Sequence, residues 1–98
     1  MPALEKIIHE RARLLILTYL AGNEQKSIPF NELQSKLSFT SGNLSIQLKK
    51  LKGAEYVKIK KTFKDNKPFT TVSITSQGSR ALNLYIKEME DIIQTLKK

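Results

Sequence analysis

Two carboxamide side chains, Asn43 and Gln47, have the chemistry best suited to recognising a ligand. A carboxamide offers a hydrogen-bond donor and an acceptor side by side, which matches the pair on the major-groove edge of adenine. Ile46 is suited to contact a thymine methyl group, and Ser41, with the free amides at the start of a helix, is suited to hold a phosphate. The plainer interpretation of these residues is a solvated helix surface.

A cluster of lysines overlaps and follows these residues. Residues 49–67 contain eight lysines against Glu55 and Asp65, so this segment carries +6 of the net charge of +8. A positive electrostatic field favours a polyanionic partner, either nucleic acid or an anionic membrane surface. The simpler alternative is a lysine-rich face that only keeps the protein soluble. The lysines predicted to contact phosphates are Lys49, Lys50, Lys58, Lys60, Lys61, Lys64 and Lys67.

The composition disfavours most other chemistry. His9 is the only histidine and there is no cysteine, so a catalytic dyad, a thiol–metal site and a disulfide have no residues to form them. The four glycines are isolated, and no apolar run approaches the ~20 residues of a transmembrane helix. The N-terminus lacks the pattern of a signal peptide. We therefore predict no enzymatic activity, no metal, no cofactor and a cytoplasmic location.

One helix should present the candidate ligand-binding residues. Leu44, Leu48 and Leu51 recur at spacings of four and three, which places them on one helical face against the core. Thr40 is predicted to cap this helix by accepting from the amide three residues on, and Gly53 to terminate it. The side opposite the leucines should carry Gly42, Asn43, Ile46, Lys49 and Lys50, with Ser41, Ser45 and Gln47 at its margins.

Residues 56–74 have the pattern of a β-hairpin, which we call the wing. Val57, Ile59 and Phe63 fall on one side of an alternating segment, and Pro68 opens a return strand. The connection, residues 64–67, has turn-forming residues but lacks the glycine that favours a tight primed turn, so we expect a longer, mobile loop.

Both ends of the chain carry apolar stripes suited to a partner subunit. The first helix, predicted to span Leu4 to Leu20 within the segment 1–22, has one stripe for the core and a second that would otherwise be exposed. The final helix, predicted over 75–96, has apolar residues at alternating spacings of three and four, as in a coiled-coil seam. This seam could instead pack within one subunit. The predicted dimer interface comprises Leu4, Ile8, Leu15, Leu82, Tyr85, Met89, Ile92 and Leu96.

The order of elements predicts a winged helix-turn-helix of the α+β class, mainly α, in one domain covering residues 1–98. It would have three helices, with the helix-turn-helix at 30–53, then a two-stranded β-hairpin wing and a long C-terminal dimerisation helix. The run Thr-Ser-Gly-Asn-Leu-Ser at 40–45, Lys-x-Phe at 61–63 and Pro-x-Thr at 68–70 resembles small winged-helix transcriptional regulators related to the MarR and ArsR groups. Members often carry glycine at the position of Glu55.

The resemblance implies a homodimeric transcriptional regulator that binds double-stranded DNA in a sequence-specific manner. The helix 41–52 would enter the major groove, the wing would lie on the backbone or minor groove, and two-fold symmetry predicts a palindromic operator. Two alternatives are a protein-interaction module without sequence-specific DNA binding, and RNA binding, which the lack of an aromatic stacking platform disfavours. Thr40, Gly42, Ser45 and Thr70 complete the predicted DNA contacts.

Overall fold

The computed structural model describes residues 6–23 and 26–97. Within these residues it contains four helices and a three-stranded antiparallel sheet, and it confirms the predicted winged-helix fold. The elements in chain order are α1 (Arg11–Ala21), β1 (Ile28–Pro29), α2 (Phe30–Leu37), α3 (Ser41–Gly53), β2 (Val57–Lys64), β3 (Lys67–Ile74) and α4 (Ser76–Leu96). None of these helices is long and apolar enough to cross a membrane.

Helix α1 begins at Arg11 and is shorter than predicted. Glu10 is its N-cap, and the Glu10 carboxylate accepts from the amide of Ala12 at 3.2 Å. Residues 6–10 form turns in which Ile8 is fully buried, so the apolar spacing that predicted a helix there reflects packing and not helical periodicity. The predicted start at Leu4 lies outside the described residues.

The helix-turn-helix is formed by α2, a short turn and α3. Helix α2 ends at Leu37, and its C-cap Ser38 has a φ of 57° in the left-handed region; the amide of Phe39 then donates to the carbonyl of Gln34 at 3.0 Å. Helix α1 holds α2 through a hydrogen bond of 2.7 Å from the Tyr19 hydroxyl to the Glu32 carboxylate. This bond to a carboxylate raises the pKa of Tyr19. The first two helices are thereby fixed against each other.

The sheet contains one short strand in addition to the two predicted for the wing. Its order is β1-β3-β2, with Ile28 opposite Val72 in the β1–β3 pair. Both side chains are fully buried, and the segment before α2 pairs with the wing because this pairing places Ile28 in the core. The wing itself consists of β2 and β3, paired from Val57↔Ile74 at the base to Lys64↔Lys67 at the tip.

The connection at the wing tip is shorter than predicted. Lys64 and Lys67 are cross-strand partners, so Asp65 and Asn66 alone form the turn. Both have positive φ, 53° and 63°, as the two central residues of a primed turn require. The expectation of a longer loop was wrong because the short polar side chains of Asp and Asn tolerate the left-handed region without glycine.

Helix α3 ends at Gly53, as predicted, but the left-handed residue that closes it is Glu55, two positions further on. Gly53 is the last helical residue, and Glu55 adopts the left-handed conformation with a φ of 65°. The amide of Tyr56 donates to the carbonyl of Leu51 at 3.0 Å and that of Glu55 to the carbonyl of Lys52 at 2.9 Å, the pattern of a Schellman motif. Glycine is the residue that this conformation favours, so Glu55 holds a backbone position that is strained for a residue with a side chain.

The start of α4 is fastened to the end of α3. The Thr75 hydroxyl donates to the carbonyl of Glu55 at 2.7 Å and accepts from the amide of Gly78 at 2.9 Å, so Thr75 is the N-cap of α4. The Thr75 amide donates to the carbonyl of Tyr56 at 3.0 Å. Gly78 is buried so closely against Tyr56 that a Cβ at position 78 would lie 2.9 Å from the Tyr56 carbonyl carbon and nearer still to its oxygen.

Three residues predicted to form the dimer interface are buried inside the subunit. Ile8, Leu82 and Tyr85 are exposed by only 0%, 2% and 3%, so the prediction that they contact a partner was wrong. The first half of α4 packs on α1, and the first part of its seam is used within the chain. Tyr85 is also joined to the segment before α1, because its hydroxyl lies 2.9 Å from Nδ1 of His9.

Candidate nucleic-acid interface

The exposed face of α3 has the orientation that the leucines predicted. Leu44, Leu48 and Leu51 are buried, while Ile46, on the other side, is 56% exposed. The Thr40 hydroxyl accepts from the amide of Asn43 at 3.1 Å, so the predicted cap is confirmed. The exposed residues on this helix include Ser41, Gly42, Asn43, Ser45, Lys49 and Lys50.

The two carboxamides on α3 are hydrogen-bonded to each other. Nε2 of Gln47 donates to Oδ1 of Asn43 at 3.2 Å, one helical turn away. Asn43 is exposed and Gln47 half-buried, and Oε1 of Gln47 is buried without a hydrogen-bond partner. Gln47 therefore orients the Asn43 side chain at the surface. The amide nitrogen of Asn43 takes no part in this hydrogen bond.

The outer face of the wing carries most of its lysines. Lys58, Lys60, Lys64 and Lys67 alternate with inward-facing residues and are all exposed. Lys64 and Lys67 are directly opposite each other, an arrangement of like charges that is unfavourable in a β-ladder. Across residues 6–23 and 26–97, no lysine of α3 or the wing forms an ion pair with a carboxylate. Their charge is thus available to an external anion.

A cleft of about 430 Å³ separates α3 from the wing, and we call it the helix–wing cleft. Its apolar floor includes Leu48 and Ile59, and Lys61 extends into it from the wing. The hydroxyl groups of Ser45 and Thr70 line the same space. Residues predicted separately on α3 and on the wing therefore meet at one concave, positively charged surface. The remaining lining residues are Phe30, Lys49 and Lys52.

Lys52 was absent from the predicted contact residues. The prediction assigned residues to the face opposite the three leucines and to its margins, and it left out Lys52, which lies on the flank of the helix next to Leu48. The signal that identifies it is the stripe Ser45, Lys49, Lys52, at spacings of four and three, which lines the cleft. In the part of the chain that the structure describes, no group of three His, Cys, Asp or Glu side chains is placed to hold a metal ion.

Comparisons with known proteins agree with this geometry. Residues 12–93 match the family model of the winged helix DNA-binding domain. An uncharacterized protein of Methanocaldococcus jannaschii is 35% identical over 92 residues, which are 94% of this chain and 98% of that protein. The chain belongs to the winged helix DNA-binding domain family, which is a family of DNA-binding domains and not of enzymes.

Solved structures share the fold over nearly the whole chain. A transcriptional regulator homologue from Pyrococcus horikoshii superposes with a TM-score of 0.87 at 28% identity, covering 96% of this chain and 91% of that one. MepR of Staphylococcus aureus, in a complex with DNA, superposes with a TM-score of 0.74 at 16% identity, covering 94% of this chain and 73% of that one. The winged helix fold expected from the sequence is confirmed.

Proposed function

We propose that the protein is a transcriptional regulator that binds double-stranded DNA in a sequence-specific manner as a homodimer. The observation that carries this proposal is the helix–wing cleft, where Lys49 and Lys52 of α3 lie opposite Lys61 of the wing, with the exposed face of α3 and the exposed outer lysines of the wing on either side. Helix α3 would enter a major groove, whose base edges carry a unique donor and acceptor code. A DNA ligand also supports the cytoplasmic location predicted from the sequence.

The two parts of the surface would have different tasks. Asn43, oriented by Gln47, would read a base edge, while the wing lysines and the start of α3 would neutralise phosphates without regard to sequence. MepR, a protein of the same fold, has been solved bound to DNA, which supports this use of the fold. Ser41 and the backbone amides at the start of α3 would hold a further phosphate.

An apolar surface on α4 supports the homodimer. Ile86, Ile93 and Leu96 are 41%, 46% and 79% exposed, and they lie on the same side of the helix as Met89 and Ile92. Ile92 and Leu15 of α1 are half-buried. A second copy of α4 against this side would cover the apolar residues, and two-fold symmetry would place the two α3 helices on the half-sites of a palindromic operator.

Selection of bound sequences from a pool of random duplexes tests the function directly. We expect the wild-type protein to enrich a palindromic consensus with half-sites about 10 base pairs apart or a multiple of that spacing. With Asn43→Ala, discrimination between the consensus and random duplex should fall by about 10-fold, as expected for the loss of one specific base contact. Lys67→Ala is the matched control, because the loss of a phosphate contact should weaken both duplexes equally. If the wild-type protein binds no duplex at moderate salt, a protein-interaction module with an acidic partner becomes the better description.

Charged substitutions on α4 test the dimer. We expect Ile93→Glu combined with Leu96→Glu to raise the dimer dissociation constant by at least about 100-fold, because each carboxylate would be buried without a partner. Analytical ultracentrifugation over a range of concentrations measures this change. Leu84→Glu is the control: Leu84 is 58% exposed on the opposite side of α4, so its substitution should leave the dimer intact. The proposed interface would be contradicted if Leu84→Glu raised the dimer dissociation constant as much as the double substitution does, or if the wild-type protein were monomeric.

A further inference from the structure

The tip of the wing carries an aromatic side chain that the subunit does not cover. The inward row of β2 consists of Val57, Ile59, Lys61 and Phe63, and the exposure of this row increases toward the tip. Val57 is 3% exposed in the core, Ile59 is half-buried beside the helix–wing cleft, and Phe63 is 78% exposed. Phe63 therefore lies on the face of the wing that borders the cleft, about 7 Å beyond Lys61 along the strand.

A second apolar residue lies next to Phe63. Its cross-strand partner is Pro68, which is also exposed, so the two side chains form an apolar end to the inward face of the hairpin. The other phenylalanine of the wing is arranged differently. Phe69 is half-buried on the outer face, where the ammonium group of Lys64 lies 5.2 Å from its ring centroid. Phe63 and Pro68 are thus an uncovered apolar patch at the tip of the wing, with Lys64 and Lys67 next to them in the two strands and on the other face.

The charges around the patch identify its partner. Lys61, Lys64 and Lys67 are exposed near it, against the single carboxylate of Asp65. An apolar patch alone would suit many partners. A patch with lysines beside it that form no ion pairs with the described residues fits a polyanion that also has an apolar interior. The minor groove of DNA is such a ligand: phosphates line its edges, and the stacked bases between them accept Phe and Pro side chains as wedges.

We propose that Phe63, supported by Pro68, is an apolar wedge that inserts into the minor groove beside the site read by α3. This inference rests on the proposed function and adds a second mode of specificity to it. A wedge partly unstacks one base step and bends the duplex, and pyrimidine–purine steps such as TA and CA unstack most easily. The protein would therefore favour operators with a flexible step under each wing, at positions where no base edge is contacted.

Single substitutions at Phe63 test the wedge. We expect Phe63→Ala to weaken binding to the selected operator by about 10-fold, the equivalent of about 1.4 kcal/mol, without changing the slope of log affinity against log salt. Phe63→Leu retains an apolar side chain and should bind nearly as the wild type does. Lys67→Ala is the contrasting control, since the loss of a phosphate contact should reduce the salt slope by about 1. Because Phe63 is largely exposed, each variant should fold, which a thermal melt verifies.

The bend and its sequence dependence provide the second measurement. Energy transfer between dyes at the two ends of the operator should report a bend of about 20° or more with the wild type and a smaller one with Phe63→Ala. Moving a TA step along the flank of the operator should alter wild-type affinity at one position and leave that of Phe63→Ala unchanged. If the wild type binds DNA but Phe63→Ala shows the same affinity, bend and step preference, the wedge is wrong and the proposed function stands. If the wild type binds no duplex, both are wrong.

Discussion

Replacement of Gly78 by alanine is expected to destabilise the fold by about 3 kcal/mol, the upper end of the range for overpacking. The added methyl group would overlap the backbone carbonyl of Tyr56, which cannot rotate away as a side chain could. Relief would require α4 to move from the end of α3 and would break the hydrogen bonds of Thr75 to Glu55 and Tyr56. Thermal or urea denaturation measures the change, and the melting temperature should fall by more than about 12 °C.

Gly53→Ala is the matched control for this substitution. Gly53 is also helical, and a Cβ there would have no neighbour within 4 Å. Alanine has the higher helix propensity, so Gly53→Ala should be neutral or stabilising by up to about 1 kcal/mol. A Gly78→Ala protein that melts at the wild-type temperature would show that the close approach of α4 to Tyr56 is not a feature of the folded protein.

Removal of three wing lysines is expected to reduce affinity for duplex DNA by about 100-fold at physiological salt. Lys60, Lys64 and Lys67 are exposed on the outer face of the wing, and glutamine at all three positions would remove about half of roughly six phosphate contacts per subunit. The slope of log affinity against log salt, about −5 per subunit for the wild type, should change to about −3. Fluorescence anisotropy with a labelled duplex over several salt concentrations measures both quantities.

An equal loss of charge elsewhere is the control for the wing variant. Lys6, Lys87 and Lys97 are exposed outside α3 and the wing, and glutamine at these three positions lowers the net charge from +8 to +5, as the wing variant does. The control should keep nearly the wild-type salt slope, since distant charges are screened beyond about 10 Å. Similar losses in both triple variants would mean that DNA is attracted by net charge and not by the wing. The wing variant should remain folded, because it also removes the like-charge pair Lys64–Lys67.

The orientation of α3 could be predicted from the sequence because it depends on local periodicity. Three leucines at helical spacing fix which side is buried, and the position of Asn43 and Ile46 on the surface follows from geometry. The Thr40 cap was also predictable, since it involves residues only three apart. By contrast, the helical spacing aligns Lys52 with Ser45 and Lys49 but does not show that the wing lies beside this stripe, because the position of the wing depends on tertiary packing.

The use of the α4 seam could not be predicted for a related reason. Alternating spacings of three and four show that one side of a helix is buried, but they do not show whether the same chain or a second copy covers it. The structure divides the seam: Leu82 and Tyr85 pack within the subunit, whereas Leu96 remains exposed. The hydrogen bond between Tyr85 and His9 joins residues 76 positions apart, a separation at which sequence patterns give no information.

The two-residue turn at Asp65 and Asn66 affects how the wing can bind. Fixing the backbone of one residue costs about 1–2 kcal/mol of conformational entropy, so a longer flexible loop would lose several kcal/mol when it became ordered on a ligand. Here both turn residues already occupy a defined conformation in the free protein. The backbone of the wing tip is therefore preorganised, and binding of a polyanion to its lysines would not incur this cost of ordering the turn.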